Sequence, residues 1–148
     1  GAGVQAIFAA QFAKKVVATD INPSAVKSTQ LNAERHGVSE KIDVRLGDLF
    51  SPLHIDEKFD VIICNIDYPY DIHNKKLWAV HERFFAGVGK YLKHDGTIYY
   101  QSGWIWNIPF VMSMLSKNGF LVKRMLMLAA DQQSRTTRFL ITESDNRK

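Results

Sequence analysis

Residues 18–38 read ATDINPSAVKSTQLNAERHGV. The stretch opens as the end of a strand, because residues 15–19 (KVVAT) are short, apolar and rich in valine, and Asp20 stops them. Branched side chains of this kind favour a pleated, half-buried backbone. Asn22-Pro23 then opens a helix. An Asn side chain accepts from the free N–H groups of a first turn, and the fixed φ of proline suits the first helical position. The helix is predicted to run to about His36, with Gly37 as its stop.

Working outward, the alternation of strand and helix continues. Upstream, Gly1-Ala2-Gly3 leads into residues 4–13 (VQAIFAAQFA), which read as a buried, Ala-rich helix. Downstream, residues 41–46 alternate strictly, with Ile42, Val44 and Leu46 on one face, as a strand does. Residues 59–64 (FDVIIC) end in a continuous apolar run, expected of a central parallel strand covered on both faces. Over residues 74–92, Leu77, Val80, Phe84, Val88 and Tyr91 recur at helical spacing. Asp95-Gly96 reads as a turn, residues 97–101 (TIYYQ) as a strand, and residues 108–116 as a short helix ended by Asn118-Gly119. Residues 120–128 and 136–142 are two further strands joined by a polar segment, and are expected to pair as an antiparallel hairpin. Such an order implies right-handed parallel crossovers and a Rossmann-like α/β fold: a doubly wound, mostly parallel sheet closed by that hairpin. There is no linker, repeat or low-complexity segment, so residues 1–148 read as a single domain.

Composition is that of an ordinary globular chain, with 46% apolar and 23% charged residues. No apolar run reaches the ~20 residues that a bilayer-spanning helix needs, and no signal-peptide pattern opens the chain. The single cysteine, Cys64, excludes an internal disulfide and fits a reducing cytoplasm. A net charge of +4 is spread thinly, which suits either a solvated basic surface or contact with RNA or an acidic partner.

The polar residues of interest fall at the carboxyl ends of the strands, where open α/β sheets bind ligands. Gly1-Ala2-Gly3 before a helix allows close approach of backbone to a ligand, and the helix start offers free N–H groups and positive potential. Asp20 can accept two ribose hydroxyls, or simply cap the next helix. Asp48, in Gly47-Asp48-Leu49-Phe50, can accept from the exocyclic amine of adenine with Leu49 beside the ring, or serve only as a turn residue. Asn65-Ile66-Asp67-Tyr68-Pro69-Tyr70 follows the most apolar strand. There Asn65 can bind a target amine and Tyr68 can stack on a planar group, or the tyrosines can pack over the core.

Together, the run from residue 18 to 38, GDLFSPL at 47–53, FDVIICN at 59–65 and the late KNGFLVKRML and RFLITE strands resemble the "small" domain of class I S-adenosylmethionine-dependent methyltransferases. Members include the release-factor glutamine methyltransferases and the ribosomal RNA guanine-amine methyltransferases. The resemblance implies S-adenosylmethionine as cofactor, held by Gly1, Gly3, Asp20, Ile21, Asp48, Leu49 and Asn65. It implies Asn65 and Tyr68 as the catalytic first and last positions of an Asn-Pro-Pro-Tyr motif. The Asn side chain and the next backbone carbonyl then orient a planar nitrogen, in an RNA base or a protein glutamine amide, toward the methyl group.

Three departures stand out. Gln5 replaces the third glycine of the loop, Ile66 and Asp67 replace the two prolines, and the first parallel strand expected before Gly1 is not in the sequence. The expectation is a piece of a longer gene, a closed-up sheet or a gap filled by another chain. If the chain folds alone, a homodimer, strand exchange or a rebuilt sheet follows, because exposed ladder groups and apolar surface seek partners. These departures also support a second reading, a binding or assembly module without turnover. A third is a nicotinamide-dependent oxidoreductase, since residues 1–6 fit GxGxxA and Asp20 suits a ribose.

Other residues point away from chemistry. His36, His54, His73, His81 and His94 have no zinc-like spacing. Cys64 reads as core, Trp104 and Trp106 as core, interface or pocket wall, and Met112, Met114, Met125 and Met127 as core filling or strand packing.

Overall fold

Helix α1 (Val4–Ala9) begins at Gly3, whose φ of 78° lies in the left-handed region. A Cβ there would come within 2.5 Å of Cγ2 of Thr29, so glycine is required for space as well as for conformation. The structure is a computed structural model that describes residues 1–66, 75–102, 107–129 and 135–143. Helix α1 is shorter than predicted. After Ala9 the backbone tightens, with Gln11 N–H donating to the Phe8 carbonyl at 3.2 Å and Phe12 N–H to the Ala9 carbonyl at 3.0 Å. Nor is the segment buried: Val4, Phe8 and Phe12 are exposed, and Ala10 alone of residues 4–13 is fully covered.

Strand β1 (Val16–Asp20) leads to α2 (Pro23–Arg35), and a 3-10 turn (Ser39–Lys41) leads to β2 (Ile42–Leu46). The start of α2 follows its local chemistry: the Asn22 side chain accepts from Ser24 N–H at 2.9 Å, and Pro23 occupies the first turn. Its end does too. Gly37 has φ of 65°, and Val38 N–H returns to the Ala33 carbonyl at 3.0 Å. β1 and β2 pair in parallel from Val16↔Ile42 to Asp20↔Leu46. Ala10, Ala33 and Ile42 form the buried centre, with Ile7, Val16, Ala18 and Val44 packed around it. These elements make a compact unit, Gly1–His54.

The second unit, Ile55–Lys148, contains β3 (Phe59–Cys64), α3 (Lys75–Val88), β4 (Leu92–Ser102), α4 (Ile108–Lys117), β5 (Phe120–Ala129) and β6 (Arg135–Glu143). Its four-stranded sheet has the order β3-β4-β6-β5. β3 and β4 are parallel, and β6 is antiparallel to both β4 and β5, as the expected terminal hairpin requires. The ladder of hydrogen bonds is therefore two sheets, β1-β2 and this one, where the sequence suggested one. Among the described residues, β1 pairs only with β2 and β3 only with β4.

Burial in this unit is one-sided. Ile98, Tyr100 and Ser102 alternate on the covered face of β4, with Phe84, Phe85 and Val88 from α3 and Val111 and Leu115 from α4 also buried. Phe85 lies 4.9 Å from the Tyr100 ring and 6.2 Å from Phe120. Burying one such ring stabilises the fold by roughly 1.5–3 kcal/mol. Val61, Ile63 and Tyr99 are exposed instead, so β3 is not covered on both faces as its apolar run suggested. Asp95-Gly96 does not end a turn before β4. It lies within the strand, where the pairing jumps from Phe59↔Leu92 to Val61↔Thr97 and absorbs the extra residues as a bulge. Of the methionines, Met114 is buried as core filling, whereas Met112 on α4 and Met125 on β5 are exposed and do not fill the core. Cys64 is buried, as expected.

Candidate functional site

The parallel register Asp20↔Leu46 brings the ends of β1 and β2 to one edge. One residue further on, the Gly47 N–H donates to the Asp20 carbonyl at 2.9 Å. The acid at residue 20 and the turn that carries Asp48 are thereby joined through backbone. A Cβ on Gly47 would come within 2.7 Å of Pro52, so the turn closes tightly on itself. Within it, Ser51 N–H donates to the Asp48 carbonyl and Leu53 N–H to the Phe50 carbonyl, each at 3.0 Å.

The Asp20 carboxylate is engaged on both oxygens. Oδ1 accepts from Asn22 N–H at 2.9 Å, and Oδ2 forms an ion pair with the amine of Gly1. Burial alone would raise its pKa. The hydrogen bond from the Gly1 amine and those from the Asn22 and Ile21 amides outweigh burial, and the carboxyl is held below its ordinary value. Ile21, the next residue, is largely exposed.

The glycine loop is pinned from behind by α2. The Thr29 hydroxyl donates to the Gly1 carbonyl at 3.1 Å, and the Asn32 amide donates to the Ala2 carbonyl at 3.0 Å. Thr29 is one of the few buried polar residues. The sequence reading missed both. Their signal was a pair of polar residues three apart on α2, of which one turns inward. Gln5 is exposed on α1.

Thus the structure brings Gly1, Gly3, Asp20, Asp48 and Leu49 together in the first unit. Asn65, in the second unit, is exposed immediately after β3, and Ile66 N–H donates to Sγ of Cys64. Tyr68, Asp67, Trp104 and Trp106 lie outside the described residues. An apolar groove of about 330 Å³ between α1 and α2 contains Val4, Phe8, Gln11 and His36 but neither Asp20 nor Asp48, so it lacks a carboxylate for a ribose. Among the described residues, no group of three or more His, Cys, Asp or Glu could hold a metal ion. No described helix is long and apolar enough to cross a membrane.

The donor set fits an adenosyl cofactor with an amino-acid tail. A left-handed glycine opens α1, and carboxylates stand at the ends of β1 and β2. The family model for the methyltransferase small domain matches residues 1–130. The chain belongs to the methyltransferase small domain family. Within this family, a release factor glutamine methyltransferase from Aquifex aeolicus is 33% identical over 104 residues, covering 58% of this chain and 37% of that protein. A ribosomal protein L11 methyltransferase from Caldicellulosiruptor bescii is 43% identical over 67 residues, covering 45% of this chain and 21% of that protein. The chain thus spans well under half the length of these relatives. A ribosomal protein L11 methylase structure from Lactobacillus delbrueckii subsp. bulgaricus matches 97% of this chain and 66% of its own, with TM-score 0.78 and 23% identity. The fold is that of the class I methyltransferases, and the family's methyl donor is S-adenosylmethionine.

Proposed function

We propose that this small-methyltransferase domain binds S-adenosylmethionine and directs methyl transfer to a planar nitrogen, in an RNA base or a protein glutamine amide. The observation that carries the reading is the backbone bond from Gly47 to Asp20, which joins a ribose-accepting carboxylate to an adenine-accepting turn. Asp20 then takes the ribose hydroxyls, Asp48 the exocyclic amine, and the loop at Gly1 and Gly3 the amino-acid end. When bound, the cofactor supplies an electrophilic methyl group on a sulfonium. Asn65, with the carbonyl of Ile66, holds the acceptor N–H groups and aims the nitrogen lone pair, and Tyr68 stacks on its plane. The nitrogen loses a proton as its bond to carbon forms and the carbon–sulfur bond breaks. Most of the rate gain in such a site comes from positioning.

The reading takes residues 1–148 as one domain. Relatives named for a release factor and a ribosomal protein support a protein acceptor in the cytoplasm, and the net charge of +4 is compatible with RNA. Exposed Val61 and Ile63 support association with a second copy. Calorimetric titration with S-adenosylmethionine and S-adenosylhomocysteine, with NADH as control, tests the cofactor. Micromolar binding of the first two alone is the expected result, and preference for NADH would replace this reading with an oxidoreductase. Transfer of labelled methyl to RNA or to a glutamine-bearing protein then identifies the acceptor. Ile66 and Asp67 in place of two prolines favour the second reading, binding without turnover, and that reading predicts no label in either.

A further inference from the structure

The turn after β2 holds a residue in an uncommon conformation. Leu49 has φ of 50°, the one non-glycine residue with positive φ among the described residues. An L side chain rarely stays in that region unless its surroundings hold it there. Three tethers act on the turn. Gly47 N–H donates to the Asp20 carbonyl at 2.9 Å. Nη1 of Arg45 donates to the Pro52 carbonyl at 3.1 Å, while Nη2 of the same side chain donates to Oδ2 of Asp43 at 2.8 Å. Oγ1 of Thr19 donates to the Leu49 carbonyl at 3.2 Å.

Only the third tether grips the strained residue itself. The direction of the Leu49 carbonyl is set by the ψ angle of Leu49, so the Thr19 hydroxyl restrains the dihedral that separates Asp48 from Phe50. Thr19 also directly precedes Asp20, so one strand end meets both halves of a nucleoside site. We infer that Thr19 is a positioning residue for the purine: by holding the Leu49 carbonyl it keeps the Asp48 carboxylate and the Leu49 backbone where an adenine edge is recognised. The inference rests on the cofactor reading above. It assigns Thr19 no contact with ligand, so its signature is base selectivity rather than bulk affinity.

The test compares S-adenosylhomocysteine with S-inosylhomocysteine, which keeps the ribose and amino-acid tail but carries a carbonyl where adenine has its amine. Affinities are measured by calorimetry for wild type, Thr19→Val and Thr19→Ser. Valine keeps the shape and the strand preference but removes the donor. Wild type is expected to favour the adenine ligand roughly tenfold, as one well-made hydrogen bond to a charged group allows. Thr19→Val lowers that ratio about fivefold, and Thr19→Ser restores it. The ratio does not depend on the fraction folded, because both ligands report on the same folded population. An unchanged ratio in Thr19→Val, whether or not both affinities fall together, overturns the inference and leaves the cofactor reading standing. If wild type binds neither ligand, the cofactor reading fails and takes this inference with it.

Discussion

The phenol oxygen of Tyr100 lies 2.7 Å from Nδ1 of His81, and both side chains are buried. The rings meet edge to face at 5.8 Å and 87°, so one contact joins α3 to β4 through a hydrogen bond and through ring packing. Replacing Tyr100 by Phe keeps the ring and removes the bond. The expected cost is about 1–3 kcal/mol, because the partner nitrogen loses a buried hydrogen bond. Urea unfolding measures it, and a change within about 0.5 kcal/mol, the range of an ordinary surface substitution, would contradict the assignment. Burial, with Cys64 nearby, pushes the Tyr100 phenol far above its ordinary pKa. Ultraviolet titration of the folded protein should therefore leave one more tyrosine protonated at high pH than titration of the unfolded chain.

Cys64 should be chemically silent until the fold opens. Burial pushes its thiol from 9.0 up to about 12, while Ile66 N–H acts the other way. A thiol that ionises later in the folded than in the unfolded chain adds stability that is complete below pH 9.0. That stability drains away as pH rises toward 12. Iodoacetamide at mildly alkaline pH is expected to label the unfolded chain at least roughly a hundred times faster than the folded one, because the thiolate is the reactive form. Equal rates would place Cys64 outside the core.

Gly3→Ala tests the loop that leads into α1. The added methyl would meet Thr29 at 2.5 Å, and φ of 78° disfavours any L residue. A loss of about 1–2 kcal/mol from conformation alone is expected, with the collision adding to it. Binding of S-adenosylhomocysteine should weaken at least tenfold, at the level of a 1.4 kcal/mol loss. A variant with wild-type melting temperature and affinity would show that the loop does not form the site.

Asp20 gives the expected pH profile. Its carboxyl is held below 3.8 in the folded chain, so the ionised form persists through mildly acidic conditions. Its contribution to stability is present above 3.8 and disappears as pH falls through the lower folded value. Affinity for S-adenosylhomocysteine should thus be flat from neutral to about pH 5, where a carboxylate of ordinary or lowered pKa stays charged. Asp20→Asn should lower it roughly 10- to 100-fold at neutral pH, the value of hydrogen bonds to a charged acceptor. A variant that binds like wild type would return Asp20 to the role of a helix-capping acid.

The exposed face of β3 predicts behaviour with concentration. Val61 and Ile63 stand beside an edge with no ladder partner among the described residues. Unpaired strand edges with apolar flanks associate. Sedimentation over a dilution series should show a reversible increase in mass that Ile63→Lys abolishes. A single monomeric species throughout would remove the homodimer from the reading.

What could be read in advance was the chemistry that acts over a few residues. Asn22-Pro23 and Gly37 mark α2 because capping and left-handed backbone are local effects. Asp20 and the turn at residues 47–50 stood out as candidates because both sit at or just past a strand end. Burial was harder. Phe8 and Phe12 have the spacing of a core-facing stripe yet lie in solvent, and FDVIIC is covered on one face only, because coverage depends on elements far away in the chain. The inward set Trp78, His81 and Phe85 was hidden behind a different helical stripe, since a helix with apolar residues on several sides does not announce which side turns in. The polar spacing of Thr29 and Asn32 marks them as a pair but not what they hold, because their partners are backbone carbonyls, which carry no sequence signal.

The insertion of β6 between β4 and β5 also orders events in time. A ribosome delivers Ser102 well before Arg135, an interval of about 2–7 s at ~5–20 residues per second. Throughout that interval β4 waits for the neighbour that will cover its open side, and β5 has no strand to join. The pairing of β1 with β2 faces no such delay, because both strands lie within residues 16–46. Vectorial synthesis therefore produces a nascent chain in which β1 has met β2 while the later sheet is still incomplete and aggregation-sensitive. The last strand acts as the closing stave, and the half-made sheet is the stage at which a chaperone would engage.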